Sequence, residues 1–263
     1  MAGVRRIVPL TLGWVDLPRH VLVHGGSDEQ MRAPICGVLL QVDGGWLLLD
    51  TGFNTALIKD PALYSRFHAY PAMRPIIPGP AEPLDEALDA AGVDIADIRA
   101  VAVSHLHWDH AGGLRHFAAR VPVHAQQAEL DYAMAPGPVP ERHGMFRVDY
   151  DDPRIDWRVA DGDEELAPGV TAVLTSGHTP GHQSFVVDLD ESAGGGGFVF
   201  AFDAANLTHN CDAEIPGSLI NATQEQGAEQ IRKLKRIAAE RGYQLIPGHD
   251  PVAWPALIKD LAD

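Results

Sequence analysis

Apolar residues recur along this chain mostly in short runs bounded by Gly, Pro and Asp, the pattern of buried strands rather than of surface helices. Val38 to Asp50 reads as two strands joined at Gly44-Gly45. The second, Trp46-Leu47-Leu48-Leu49, stops at Asp50-Thr51-Gly52 and so delivers a carboxylate at a strand tip. Further strands are expected at Ala100 to Val103, Val170 to Thr175, Ser184 to Asp188, Gly197 to Phe202 and Gln244 to Ile246. Helical spacing predicts an amphipathic helix from about Leu84 to Ala91, with Leu84, Ala87 and Leu88 on one face, and a longer one from about Thr223 to Arg241. Strands and helices in this order predict an α/β protein of two βαβ-like halves, a single domain over residues 1–263.

The segments between are also informative. Pro71 to Pro83 is too rich in Pro and Gly for regular structure, and residues 64–80 read as a loop near the site. Residues 131–150 mix prolines and glycines with Met134, Met145, Phe146 and Tyr150, which predicts a mobile, partly apolar loop, either a lid or substrate wall or a tolerated surface excursion. Gly194 to Gly197 reads as a hairpin turn, because no Lys-Ser/Thr or helix follows to make a phosphate loop.

Composition narrows the setting. The 263 residues are 46% hydrophobic and 21% charged, a globular balance, and no apolar run approaches the roughly 20 residues of a membrane span. The start, Met-Ala-Gly-Val-Arg-Arg, leads into Ile7 to Trp14 without the cleavage pattern of a secretory signal, so a cytoplasmic protein is expected. Cys36 and Cys211 lie far apart and outside any CxxC spacing, which predicts reduced thiols. A net charge of −16 argues against nucleic acid as the partner and leaves a small molecule. Oligomeric state stays open, a homodimer included. The acidic runs Asp149 to Asp152 and Asp161 to Glu165 read as solvated turns.

The chemistry is concentrated at Ser104-His-Leu-His-Trp-Asp-His-Ala-Gly-Gly113. His105, His107, Asp109 and His110 follow a buried strand, at the end where α/β sheets place ligands. Imidazole and carboxylate are the donors that Zn, Mn, Fe(II) and Co take, and four so close can serve two ions if the backbone turns sharply, which Ala111, Gly112 and Gly113 permit. Two ions about 3.5–4 Å apart would share a hydroxide, the nucleophile of a metallohydrolase. A dinuclear site needs more ligands, each at a strand end beside turn-forming residues. His178 in Gly177-His-Thr-Pro-Gly181, Asp203 after Phe202, and His249 in Pro247-Gly-His-Asp250 meet that description. Asp50 either caps its own turn or orients a ligand histidine. Trp108 is expected to hold the loop by packing, and Met134, Met145 and Phe146 suit either an acyl groove or the core. His143 and His209 are candidate substrate contacts, and Thr179 and His182 read as packing or outer support of the ligands.

With these residues in view the chain resembles the metallo-β-lactamase superfamily and, within it, the N-acyl homoserine lactonases. The similarity lies in His105-Leu-His-Trp-Asp-His-Ala-Gly-Gly, Ser176-Gly-His-Thr-Pro-Gly-His-Gln-Ser184, Phe202-Asp-Ala204, Pro247-Gly-His-Asp250 and Pro34 to Gly52. The resemblance implies an αββα sandwich of two mixed β-sheets flanked by helices. It implies one metal on His105, His107 and His178, a second on Asp109, His110 and His249, and Asp203 bridging both, with zinc expected and Mn, Fe or Co as alternatives. It further implies lactone opening by a metal-bridging hydroxide, with Asp109 passing a proton to the leaving alkoxide. Many such lactonases carry Tyr three positions after the bridging aspartate. Here that position is Asn206, which can donate a hydrogen bond to an oxyanion but cannot donate a proton at neutral pH.

Other readings compete, because such a hydroxide does not distinguish carbonyl from phosphoryl centres: another lactone, a thioester as in glyoxalase II, or a phosphoester. The anionic thioester lacks an obvious basic cluster, since Arg142 and Arg147 are the only such charges in residues 131–150. A noncatalytic metal-binding module would usually have lost ligands, and all seven are present.

Overall fold

Alternation along the apolar strands sorts the core into layers. On the hairpin strands Val38, Leu40, Leu47 and Leu49 face one apolar cluster, while Leu39, Trp46 and Leu48 between them face another. Farther along, Phe185, Val187, Phe200 and Phe202 share the first of these clusters, and Val186, Val199 and Ala201 turn to a third. The shared cluster is therefore the filling between two sheets, and the other two lie under helices.

The computed structural model describes residues 3–68, 70–79, 81–138, 141 and 143–262, so Arg142 lies outside it. Strands β1 (Arg6–Pro18), β2 (Gln30–Val42), β3 (Gly45–Leu49), β4 (Arg74–Ile76), β5 (Ile98–Ala102), β6 (Pro122–Gln126) and β7 (Asp156–Ala160) form one sheet in the order β4-β1-β2-β3-β5-β6-β7. Strands β8 (Glu164–Ala167), β9 (Val170–Leu174), β10 (Gln183–Asp188), β11 (Gly197–Phe202) and β12 (Gln244–Pro247) form the other, in the order β12-β11-β10-β9-β8. Both are mixed, as expected. The halves are not βαβ units throughout, however. β1, β2 and β3 run antiparallel, as do β8 to β11, and among the named strands parallel pairing joins β3, β5, β6 and β7 and joins β11 to β12.

The helix Pro83–Ala91 covers the first sheet with Leu84 and Leu88. The helix Gln224–Arg241 covers the second with Ile231, Leu234 and Ala238, and it begins at a reciprocal cap in which Gln226 N–H donates to Thr223 Oγ1 at 3.2 Å and Thr223 N–H to Gln226 Oε1 at 2.7 Å. Cys36 and Cys211 are both free thiols, and no helix among the described residues is long and apolar enough to cross a membrane.

Three local expectations are corrected. Within 64–80, residues 64–67 belong to the helix Pro61–Phe67, which Asp60 caps by accepting from Ala62 N and Leu63 N. In the Pro-rich stretch Arg74–Ile76 forms edge strand β4 against Trp14 to Asp16, where Pro75 is tolerated because an edge strand leaves one side unpaired. Residues 131–150 are not all loop: Met145, Phe146 and Tyr150 are buried in the core and residues Arg147–Tyr150 make a helical turn.

Nor is Asp149 solvated. It is buried, accepts from Asn54 Nδ2 at 2.7 Å, and leaves its other oxygen without a partner among the described residues. Burial pushes its carboxyl up to about 7, against the opposing Asn54 hydrogen bond and the Arg115 charge. The folded state thus holds this proton more tightly than the unfolded chain, and its contribution is lost as pH rises from about 4 to about 7. Asp149→Asn is expected to raise Tm at pH 8 by roughly 3 °C or more and to change it much less at pH 4. Equal shifts in thermal melts at both pH values would contradict this assignment.

Candidate metal centre

Strand ends deliver the site. Asp50 follows β3, Ser104 and His105 follow β5, His178 lies in the turn between β9 and β10, Asp203 follows β11, and His249 follows β12. Two of the deliveries are strained: Asp50 has φ 56° and Phe202 has φ 46°, the left-handed region that non-glycine residues rarely occupy. The backbone of the motif turns sharply as expected, with His110 N and Ala111 N both donating to the His107 carbonyl, and the glycines add a second requirement. A Cβ on Gly112 would come within 2.1 Å of the Asn54 backbone nitrogen, so glycine is needed to seat the ligand loop against residues 51–54.

All seven expected ligands converge. His105 Nε2 and His178 Nε2 each lie 2.9 Å from His107 Nδ1. Beside this triad Asp203 presents Oδ2 to His178 Nε2 at 3.3 Å and Oδ1 to His110 Nε2 at 3.3 Å and His249 Nε2 at 3.1 Å. Asp109 Oδ2 completes the second group, 3.6 Å from His110 Nε2 and 3.9 Å from His249 Nε2. Donors about 2.0–2.2 Å from one ion lie roughly 3–3.5 Å apart at tetrahedral angles and up to about 4 Å at wider ones, so the first group has the span of a compact coordination sphere and the second, opened by Asp109, that of a wider one. His110 Nε2 and Asp203 Oδ1 are buried with no hydrogen-bond partner among the described residues, which is costly for a purely structural cluster and ordinary for metal ligands. The residues present therefore fit a pair of divalent ions with Asp203 between them.

Electrostatics agrees. Burial, then the neighbouring imidazoles, hold His105 and His107 well below the ordinary histidine value, leaving neutral rings that each have one nitrogen able to coordinate. Around His110 burial is outweighed by Asp109, Asp203 and Asp50, which push it up to about 10, a mark of how strongly these carboxylates call for positive charge. Asp203 is held well below the carboxylate range by His249, His110 and His178 despite its burial.

Outer partners fix the rings. His110 Nδ1 donates to Asp50 Oδ2 at 2.6 Å, and Asp50 also accepts from Ser104 N at 2.6 Å and Ser104 Oγ at 2.7 Å, so Asp50 orients the His110 ring rather than merely capping its turn. His105 Nδ1 meets Ser104 Oγ at 2.9 Å, His178 Nδ1 donates to the Ser218 carbonyl at 2.9 Å, and His249 Nδ1 to the Pro34 carbonyl at 2.8 Å. His182 Nε2 accepts from Asp203 N at 3.1 Å and so sets the backbone that carries the bridging carboxylate.

Glu129 escaped sequence reasoning because no motif surrounds it. Its buried carboxylate accepts from Leu106 N at 2.8 Å, Thr179 Oγ1 at 2.6 Å and Gly181 N at 3.0 Å, tying the loop of His105 and His107 to that of His178. A glutamine there must turn its NH2 toward one of the two backbone N–H groups. Glu129→Gln is expected to weaken metal binding about 10- to 100-fold, read by competition with a chromogenic chelator. Unchanged affinity would reduce Glu129 to a packing residue.

A cavity of about 770 Å³ opens over the ligands, lined on its apolar side by Val15, Leu17, Leu22, Phe67, Met73 and Phe146. Trp108 both packs, stacked 5.2 Å from Phe53, and faces this cavity. His143 lines it, whereas His209 is exposed on the surface away from it. Met145 is fully buried and Met134 packs on the core, so of the three expected groove residues only Phe146 reaches the cavity. Arg147 donates to the Met134 carbonyl at 2.6 Å. Asn206 lines the cavity, but its Nδ2 donates to the Leu22 carbonyl at 3.1 Å and its buried Oδ1 has no partner among the described residues.

The fold and this ligand set define the class: residues 37–201 match the metallo-beta-lactamase superfamily, and the chain belongs to it. Among curated proteins it is 30% identical to the N-acyl homoserine lactonase AttM of Azorhizobium caulinodans, over 91% of this chain and 90% of that one. It is 26% identical to the N-acyl homoserine lactonase AiiA of Bacillus thuringiensis subsp. kurstaki, over 84% and 82%. Among solved structures, an N-acyl homoserine lactone hydrolase with N-hexanoyl-L-homoserine bound at its catalytic metal centre superposes with a TM-score of 0.82 at 24% identity, covering 95% of this chain and 94% of that one. That likeness confirms the αββα architecture.

Proposed function

We propose that this chain is a dinuclear metal-dependent hydrolase that opens N-acyl homoserine lactones and so quenches the signal they carry. One observation carries the proposal: the two oxygens of Asp203 face two separate donor groups at the floor of a largely apolar cavity. The lactonases AttM and AiiA, similar over most of the chain, support the choice of substrate.

In this reading His105, His107 and His178 hold one ion, Asp109, His110 and His249 the other, and Asp203 spans both. The donor set of five imidazoles and two carboxylates suits zinc, with Mn, Fe or Co as alternatives. Two divalent ions bound there supply a hydroxide nucleophile at neutral pH and Lewis acidity toward the ester carbonyl. The chain's residues do the rest. Asp50, Ser104, the Ser218 carbonyl and the Pro34 carbonyl keep the ligand rings in one orientation. Asp109, at the cavity floor, would accept the proton of the attacking hydroxide and pass it to the departing ring oxygen, leaving the product as a carboxylate and an alcohol. Asn206 takes part at the oxyanion only through its second N–H, the first being spent on Leu22. The whole of residues 1–263 acts as one domain in this proposal, acting on a small molecule in the cytoplasm, a setting that the free thiols support.

The test is a panel on metal-replete protein: acyl homoserine lactones of short and long chain, simple lactones, acyl thioesters and phosphotriesters. Ring opening of the acyl homoserine lactones with the highest kcat/KM is expected. Preference for thioesters or phosphotriesters, with no lactone opened, would overturn the proposal.

A further inference from the structure

Outside the ligand cluster three histidines line the cavity, and two of them are occupied. His20 Nδ1 lies 2.9 Å from Asp28, and His143 Nδ1 lies 2.6 Å from the Tyr132 hydroxyl. His68 is different. Neither of its ring nitrogens has a hydrogen-bond partner among the described residues, although the ring is half-buried among aromatics: edge-on to Trp108 at 4.9 Å and to Phe146 at 5.4 Å, with Tyr64 at 5.3 Å. Burial pulls its pKa down to about 4, so at neutral pH it is an uncharged ring with one donor and one acceptor nitrogen. Neither nitrogen is closed off from the cavity, so this imidazole presents a donor and an acceptor from a wall that is otherwise aromatic.

Its position says which part of a ligand it meets. Trp108 sits between His107 and Asp109, and His68 packs on Trp108, one ring away from the metal-binding floor. A lactone carbonyl held at that floor would leave the first carbons of an acyl chain within reach of this pair, with Phe67, Met73 and Leu17 among the apolar lining available to the rest.

We propose that His68 is a specificity-determining residue that hydrogen-bonds an oxygen substituent, oxo or hydroxyl, on the proximal acyl chain, so that the substrates are 3-oxygenated acyl homoserine lactones in preference to unsubstituted ones. The inference rests on the lactonase reading above. The imidazole N–H donates to a 3-oxo group, and the other nitrogen accepts from a 3-hydroxyl if the ring turns.

The test compares N-(3-oxooctanoyl) with N-octanoyl homoserine lactone on the same enzyme preparations, so that any loss of folded or metal-loaded protein cancels in the ratio. Wild type is expected to favour the 3-oxo substrate by about five- to tenfold in kcat/KM, the worth of one hydrogen bond. His68→Phe, which preserves the ring packing, is expected to bring the ratio to within about twofold of unity, and His68→Gln to restore part of it. Calorimetry with the two ring-opened acids should show the same loss of preference in Kd. A ratio near unity in wild type, or one that His68→Phe leaves unchanged while both lactones are still opened, overturns the role of His68 and spares the lactonase reading. Failure of wild type to open either lactone overturns both.

Discussion

Alanine in place of Asp203 is expected to yield a folded protein that holds about one equivalent of tightly bound metal and opens lactones at least roughly a thousandfold more slowly. The carboxylate is the shared group: Oδ1 faces His110 and His249 and Oδ2 faces His178, so its removal takes one donor from each group and the link between them. It also strips the negative charge from among three buried imidazoles, and the repulsion left behind opposes binding of the second cation. Asp203→Asn keeps the volume but offers an amide nitrogen where one group needs an oxygen, and should lose the second equivalent too. Metal analysis of both variants after dialysis checks this. Two retained equivalents with full activity would refute the bridging role.

The second large effect is at Asp50, two alternatives to which separate stability from orientation. Asp50→Ala leaves His110 Nδ1–H and Ser104 N–H buried without their acceptor, and should cost about 3–5 kcal/mol and much of the folded yield. Asp50→Asn is the sharper probe. Its carbonyl can still serve Ser104 N, but its NH2 then faces His110 Nδ1, which must accept rather than donate. That forces the proton onto Nε2, the nitrogen facing Asp109 and Asp203. The expected result is a protein with near-normal Tm in the metal-free state and metal affinity lowered by about 10- to 100-fold or more at the group containing His110. Normal affinity in Asp50→Asn would show that Asp50 merely caps its turn.

The seven residues that converge were legible because side chains suited to a metal stand in local patterns. His105, His107, Asp109 and His110 sit within six positions, and His178, Asp203 and His249 each stand where an apolar run meets turn residues. The groups that support them were legible only in part: Asp50 stood out at its strand tip as a carboxylate able to orient a histidine, whereas its partner His110, Glu129 and the carbonyl acceptors did not. Asp50 meets His110 across 60 residues, Glu129 meets Thr179 across 50, and the partners of His178 and His249 are backbone carbonyls, which every residue carries. The same holds for the fold. The hairpin of β2 and β3 is short-range and bounded by Gly44-Gly45, but β1 hides its alternation behind Pro9 and Gly13, with a register shift between Thr11 and Trp14. Composition was right only in part for residues 131–150: Pro138, Glu141, His143, Gly144 and Phe146 do line the cavity as a wall, while Met145 and Tyr150 pack into the core and the single Tyr150 hydroxyl proton is shared between the Ala133 and Met145 carbonyls, each 3.2 Å away. His68 carried no signal at all, since its meaning lies in what surrounds it.

The most direct test of a dinuclear lactonase is a titration. Metal-free protein receives zinc in steps, and opening of N-hexanoyl homoserine lactone is followed at each step by the acid released. Activity that climbs to a plateau at two equivalents per chain is the predicted result. A plateau at one equivalent would contradict the dinuclear centre, and no ring opening at any loading, with zinc, manganese, iron or cobalt, would contradict the lactonase itself.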